Sequence, residues 1–238
     1  MSEIPASLTE ATDQAMAATQ AAIAAGIGRI QVEMVIPELK QQPIARQFLQ
    51  VFQDLNLKVR VYFPDAGAAA LAKRDWDNPE FEIRGITERV SPLSDEDEAI
   101  LIVSPSAVEV EAVEQVCQNA LDRPVILLNP QLENIATIGI GYAGRQLRDR
   151  FLSTLESAYH FRPLEGAAVL RQYPGPWQVW RSDHDQPELI TEMATKPSGE
   201  QLDRILYEEA DAEAPTATQP RKRGLLAELQ QFLKALSQ

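Results

Sequence analysis

The sequence is poor in the residues that support metal and thiol chemistry. Its 238 residues include one cysteine, Cys117, and two histidines, His160 and His184. One cysteine excludes an internal disulfide framework and a thiolate zinc site. Two histidines are too few for a His-rich metal centre. Basic residues are also scarce: 22 Lys and Arg stand against 35 Asp and Glu, a formal net charge of −13. A chain this acidic is repelled by phosphate backbones, so nucleic acid is not expected as a partner. No apolar run approaches the ~18 residues needed to span a bilayer. The first twenty residues hold Glu3, Glu10 and Asp13 and no basic residue, which fits neither a signal nor a transit peptide. Phosphate-loop, H-E-x-x-H, C-x-x-C and G-x-S-x-G patterns are missing. The expectation is a soluble, acidic, cytoplasmic protein with no cofactor, metal or catalytic cluster, and therefore one leaning away from an enzyme.

What is present is an alternation of strands and helices. Arg29 to Ile36 places Ile30, Val32 and Met34 on one face and Gln31 and Glu33 on the other, as a strand does. Residues 58–63 and 80–86 read as further strands. Residues 99–103 and 124–128 are uniformly apolar, as strands covered on both faces are. Helices are predicted over 7–25, 43–54, 65–74, 106–121, 145–159 and 198–209. The first has a capping box at Ser7 and Glu10 and ends at Gly26 and Gly28. The second has a stripe of Ile44, Phe48, Val51, Phe52 and Leu55. Short alternating segments over 167–193, divided by Pro and Gly, suggest antiparallel strands. The fold class is α/β: a doubly wound, mostly parallel, Rossmann-like sheet with a small antiparallel extension. This domain takes residues 1–209. A flexible linker follows over 210–223, then a tethered amphipathic helix over 224–238.

Four features carry candidate chemistry. Gly139, Gly141 and Gly144 form a G-x-G-x-x-G between a strand-like run and a helix. Such a turn could aim N–H groups at a phosphate, with Arg145 and Arg148 as charge partners. It lies late in the sheet, however, and lacks the acidic residue of a dinucleotide fingerprint, so it also reads as a structural turn. Tyr159, Arg162, Arg171, Tyr173, Trp177 and Trp180 gather aromatic and guanidinium anchors in a short stretch. They read either as an interaction surface or as a well-packed corner of the sheet. Leu225, Leu229, Phe232, Leu233 and Leu236 line one face of the last helix, behind Arg221 to Arg223. That face could fold back on the domain, dock on a partner, or touch an anionic membrane surface. His184, between Asp183 and Asp185, reads as a polar turn before it reads as a metal or acid–base site. His160 is placed at a helix end, and Cys117 on the apolar side of its helix as a buried thiol.

The run Phe151-Leu152-Ser153-Thr154-Leu155-Glu156-Ser157, then Tyr159-His160-Phe161-Arg162-Pro163-Leu164, then Leu170-Arg171 and Tyr173-Pro174-Gly175-Pro176-Trp177, carries a resemblance. So do the strand end at Pro37, the Phe63-Pro64-Asp65 turn and Leu128-Asn129-Pro130-Gln131-Leu132. Over residues 7–193 the chain resembles the domain-of-unknown-function family nineteen-ninety-five of cyanobacteria and plastids. That family has no assigned reaction. Its plant relatives include a low-photosystem-II-accumulation factor, and the domain is also found appended to a chloroplast adenylate kinase. The resemblance implies an accessory or assembly factor of the photosynthetic apparatus, acting through contacts with photosystem II subunits or other assembly factors. It also implies a place at the periphery of the thylakoid membrane. The alternative is a nucleotide- or phosphate-binding protein using the glycine turn.

Overall fold

The computed structural model describes residues 3–88, 93–132, 142–182 and 186–212. The chain divides into two compact units, Met1–Pro197 and Ser198–Gln238. The second is described only by its helix α6 (Gly199–Ala212). Ser198 Oγ accepts from Gln201 N at 3.2 Å and Gln201 Oε1 accepts from Ser198 N at 2.9 Å, a reciprocal cap. α6 runs three residues into the expected linker; the remainder of 210–223 and the helix predicted over 224–238 lie outside the described residues.

The first unit begins with α1 (Leu8–Ala24). Ser7 Oγ accepts from Glu10 N and Glu10 Oε2 accepts from Ala6 N, so the predicted cap forms. Ala11, Ala15, Ala18 and Ala22 are buried at helical spacing and let the helix backbone lie close to the sheet. Gly26, at φ +78°, ends the helix; Ile27 N reaches back to Ala22 O at 3.0 Å. Then come β1 (Arg29–Met34), α2 (Gln41–Asp54), β2 (Val59–Phe63), α3 (Ala66–Asp75) and β3 (Ile83–Gly85). β4 (Ala99–Val103), α4 (Val110–Asn119) and β5 (Val125–Leu128) complete the first half. Helix α4 starts four residues later than predicted. Ser106 ties residues 106–109 into a turn by donating to Glu109 Oε2 at 2.6 Å and accepting from Val108 N at 3.2 Å.

The second half holds α5 (Tyr142–Arg150), a 3₁₀ turn (Leu152–Thr154), β6 (Glu156–Leu164), β7 (Ala167–Gln172), β8 (Trp177–Arg181) and β9 (Glu188–Met193). Here one expectation fails. The helix predicted over 145–159 stops at Arg150, and residues 156–159 are strand. Ser153 Oγ donates to Asp149 O and Thr154 Oγ1 to Phe151 O, bonds that close the helix end. Beyond them β6 pairs with a strand on each side, and this tertiary pairing overrides local helical preference.

The strand order is β3-β2-β4-β5-β1-β6-β7-β8-β9. Pairings from β3 through β6 are parallel, and those from β6 through β9 are antiparallel. The doubly wound sheet and its antiparallel extension are thus as expected, with β6 as the join. One buried cluster joins α1, α2 and α3 to one sheet face; a second joins α4 and Phe151 to the other. Cys117 belongs to the second, and burial pushes its thiol up to about 12, which leaves it protonated and unreactive.

Candidate functional site

The order of the strands creates a crevice. From β1 the chain crosses by α2 toward β2, on one side of β1; from β5 it crosses by α5 to β6, on the other. β1 and β5 are neighbours with connections leaving in opposite directions. Open α/β sheets bind ligands at such a switch point, outside the carboxyl ends of the strands. At this point lies a cavity of about 420 Å³, lined by residues 33–37 of the β1 end, by Gln41, and by Asn129, Pro130 and Gln131.

Asn129 holds the crevice together. It stands just past β5 at φ +49°, a left-handed conformation that Asn tolerates. Its N–H donates to Val32 O at 2.7 Å, and its Oδ1 accepts from Met34 N at 2.6 Å. Its Nδ2 donates to Gln41 Oε1 at 2.6 Å. One buried amide therefore ties the end of β5 to β1 and to the first residue of α2.

Glu33 joins the crevice to a second group of side chains. Strand register sets Glu33 beside His160, His160 beside Arg171, and Arg171 beside Trp177, across β1, β6, β7 and β8. His160 Nδ1 lies 2.9 Å from Glu33 Oε2, and Lys196 Nζ lies 3.2 Å from the same oxygen. A carboxylate only accepts, so Nδ1 carries the proton. The His160 and Trp177 rings are 5.1 Å apart and tilted by 55°, and Lys196 Nζ stands 5.6 Å from the Trp177 ring centre. Arg171 instead turns to Glu156 Oε1 at 2.8 Å and Ser157 O at 3.2 Å.

Burial works against the charge on Glu33, but the hydrogen bond from His160 and the ammonium of Lys196 outweigh it and hold the carboxyl at about 2. His160 is 2% exposed, and burial keeps its imidazole below the ordinary value of 6.5 despite the pull of Glu33. At neutral pH the pair is a carboxylate with a neutral imidazole donor. Chemically, the cluster offers a fixed anion at the mouth of a partly apolar cavity.

The predicted site residues are dispersed. Gly139 and Gly141 lie outside the described residues. Gly144 is the third residue of α5, with Arg145 and Arg148 exposed further along it. Arg150, in the same helix, is drawn to Glu114 by two bonds of 2.9 and 2.8 Å. The six aromatic and arginine anchors do not make one surface. Tyr159 and Trp180 join the larger core cluster, and Trp177 is buried beside His160. Only Arg162 is exposed; Arg171 and Tyr173 are half-buried. The physical reason is that the six are spread over β6, β7, β8 and the turn between β7 and β8, and strands alternate their side chains between the two faces of the sheet. Leu225, Leu229, Phe232, Leu233 and Leu236, and the cluster around His184, lie outside the described residues.

Sequence reasoning missed Glu33, Gln41, Asn129, His160 and Lys196 as a group. The available signals were an acidic residue near the end of an apolar strand, an Asn-Pro just past another, and a histidine between Tyr159 and Phe161. Among the described residues, no helix is long and apolar enough to cross a membrane.

One family model matches the chain over residues 5–204; its description is "Domain of unknown function (DUF1995)". The match takes in all nine strands.

Proposed function

The chain belongs to the DUF1995 family, and from that premise we propose that it is a non-enzymatic accessory factor of the photosynthetic apparatus, serving photosystem II biogenesis through protein contacts. The observation that carries the reading is the family membership across all nine strands, in a family whose plant relatives, as the resemblance implies, include an assembly factor. The fold supplies a compatible surface. Among the described residues β9 pairs with β8 alone, and its six residues are exposed or half-buried. An edge strand of this kind can accept an extended partner segment by strand addition. On this reading the protein works in the cytoplasm, at the periphery of the thylakoid membrane.

The test is affinity purification of a tagged full-length copy from a cyanobacterial host, beside a copy truncated at Asp211. Enrichment of photosystem II subunits or their assembly proteins, with reduced photosystem II in a deletion strain, is the expected result. No such enrichment together with normal photosystem II levels would overturn it. The alternative, phosphate or nucleotide binding at Gly139 to Arg148, predicts thermal stabilisation by nucleotides that Gly141→Val abolishes.

A further inference from the structure

We propose that the crevice at the carboxyl ends of β1 and β5 binds a small organic cation, an ammonium or amidinium group on an apolar body, with Glu33 as its counter-ion. Position is the first argument. The cavity sits where a doubly wound sheet collects ligands, and its volume of about 420 Å³ falls in the lower part of the ~300–1,000 Å³ range of small-molecule sites.

Charge is the second. Among the described residues that line it none is Lys, Arg or His, and Glu33 is the one charged side chain. A phosphate or carboxylate ligand entering here meets the Glu33 carboxylate in the lining, and the nearest ammonium, Lys196, is already engaged by that carboxylate at 3.2 Å. A cation meets a carboxylate that is already ionised and already fixed. Both contacts to Glu33, from His160 and from Lys196, fall on Oε2. Among the described residues Oε1 takes no hydrogen bond and remains an acceptor for a ligand. The Glu33 side chain is 16% exposed, so an ion pair formed there is partly desolvated and stronger than one on the open surface.

The walls complete the description. Met34, Ile36, Pro37 and Pro130 offer an apolar surface beside the carboxylate, and two of them are prolines with little freedom to lose on binding. Asn129 spends one Nδ2 hydrogen on Gln41, which leaves the other for a hydroxyl or carbonyl on the ligand body. Neutral His160 donates to Oε2 from behind and fixes the carboxylate without neutralising it. Lys196 is half-exposed on a flexible stem, so it can yield to an incoming cation.

Isothermal titration of the full chain near neutral pH tests this, with agmatine, putrescine and tyramine as probes and inorganic phosphate and AMP as controls. Saturable binding of at least one amine is expected, weakened about tenfold or more in Glu33→Gln, equivalent to about 1.4 kcal/mol. Gln131→Lys adds a positive charge to the lining from an exposed position and should weaken binding in the same direction while leaving the melting temperature unchanged. If Glu33→Gln fails to fold, Gln131→Lys decides alone. No saturable amine binding overturns the proposal. So does binding of phosphate or AMP in place of the amines, or amine affinity unchanged in the folded variants.

Discussion

The two halves of the sheet obey different rules. In the parallel half, β2, β4 and β5 are buried at every position. Helices cover both faces; β4 and β5 are apolar runs, and the one charged residue of β2, Arg60, is paired with Asp97 at 2.9 Å. In the antiparallel extension, one strand can carry core residues on one face and charged or polar ones on the other. β6 shows this directly: Tyr159 and Phe161 enter the core beneath α1, while His160 between them meets Glu33. The apolar side chains of a fully buried strand need only burial to be stabilised. A two-faced strand also depends on what its polar face is given as partners. The candidate site lies next to the seam between these halves: the crevice is at the carboxyl ends of β1 and β5, and Glu33 of β1 reaches His160 on β6, the strand shared by the two halves.

Breaking the parallel half costs most. Leu101→Ala, in the fully buried β4, should lower unfolding free energy by about 2–5 kcal/mol in chemical denaturation, through lost burial and a residual cavity. Gly85→Ala should follow at about 1–3 kcal/mol, because an added Cβ would lie 2.5 Å from Ala66 N and 2.6 Å from Asp65 C, in backbone that cannot swing aside.

Effects at the seam are smaller and depend on pH. Glu33 is ionised in the folded protein down to about pH 2, but in the unfolded chain only above about 4.5. Its contribution is therefore complete above pH 4.5 and is lost as pH falls toward 2. Glu33→Gln should cost about 1–3 kcal/mol at neutral pH and flatten the acid limb of the stability profile between those values. A profile as steep as that of the parent protein would show that Glu33 is not held as described. Lys196→Ala should change stability least, by about 0–1 kcal/mol, because its ammonium is half-exposed.

The same contrast explains what the sequence reveals. β4 and β5 are legible because uniform apolar runs between turn residues have few other readings, and β2 because Val59, Val61, Tyr62 and Phe63 favour a strand. α1 and α2 are legible from their caps and stripes. β6 is not, because Glu156 to His160 continues a helical stretch without a Pro or Gly to break it, and its strand character comes from neighbours far along the chain. The crevice is illegible for a related reason. Glu33, Gln41, Asn129, His160 and Lys196 are brought together by strand order and register, and no local motif links them. The Gly139 to Gly144 pattern, by contrast, is conspicuous as a string, and its first two glycines lie outside the described residues.

The seam can be tested at His160. With ¹⁵N-labelled histidine, the imidazole signals of His160 report protonation and tautomer directly, assigned by their loss in His160→Gln. His160 should be mostly neutral at pH 6.5, where a free imidazole is half-protonated, with its proton on Nδ1 facing Glu33. An imidazole half or more protonated at that pH, or one carrying its neutral proton on Nε2, would contradict a buried β6 strand paired to β1 and the site built upon it.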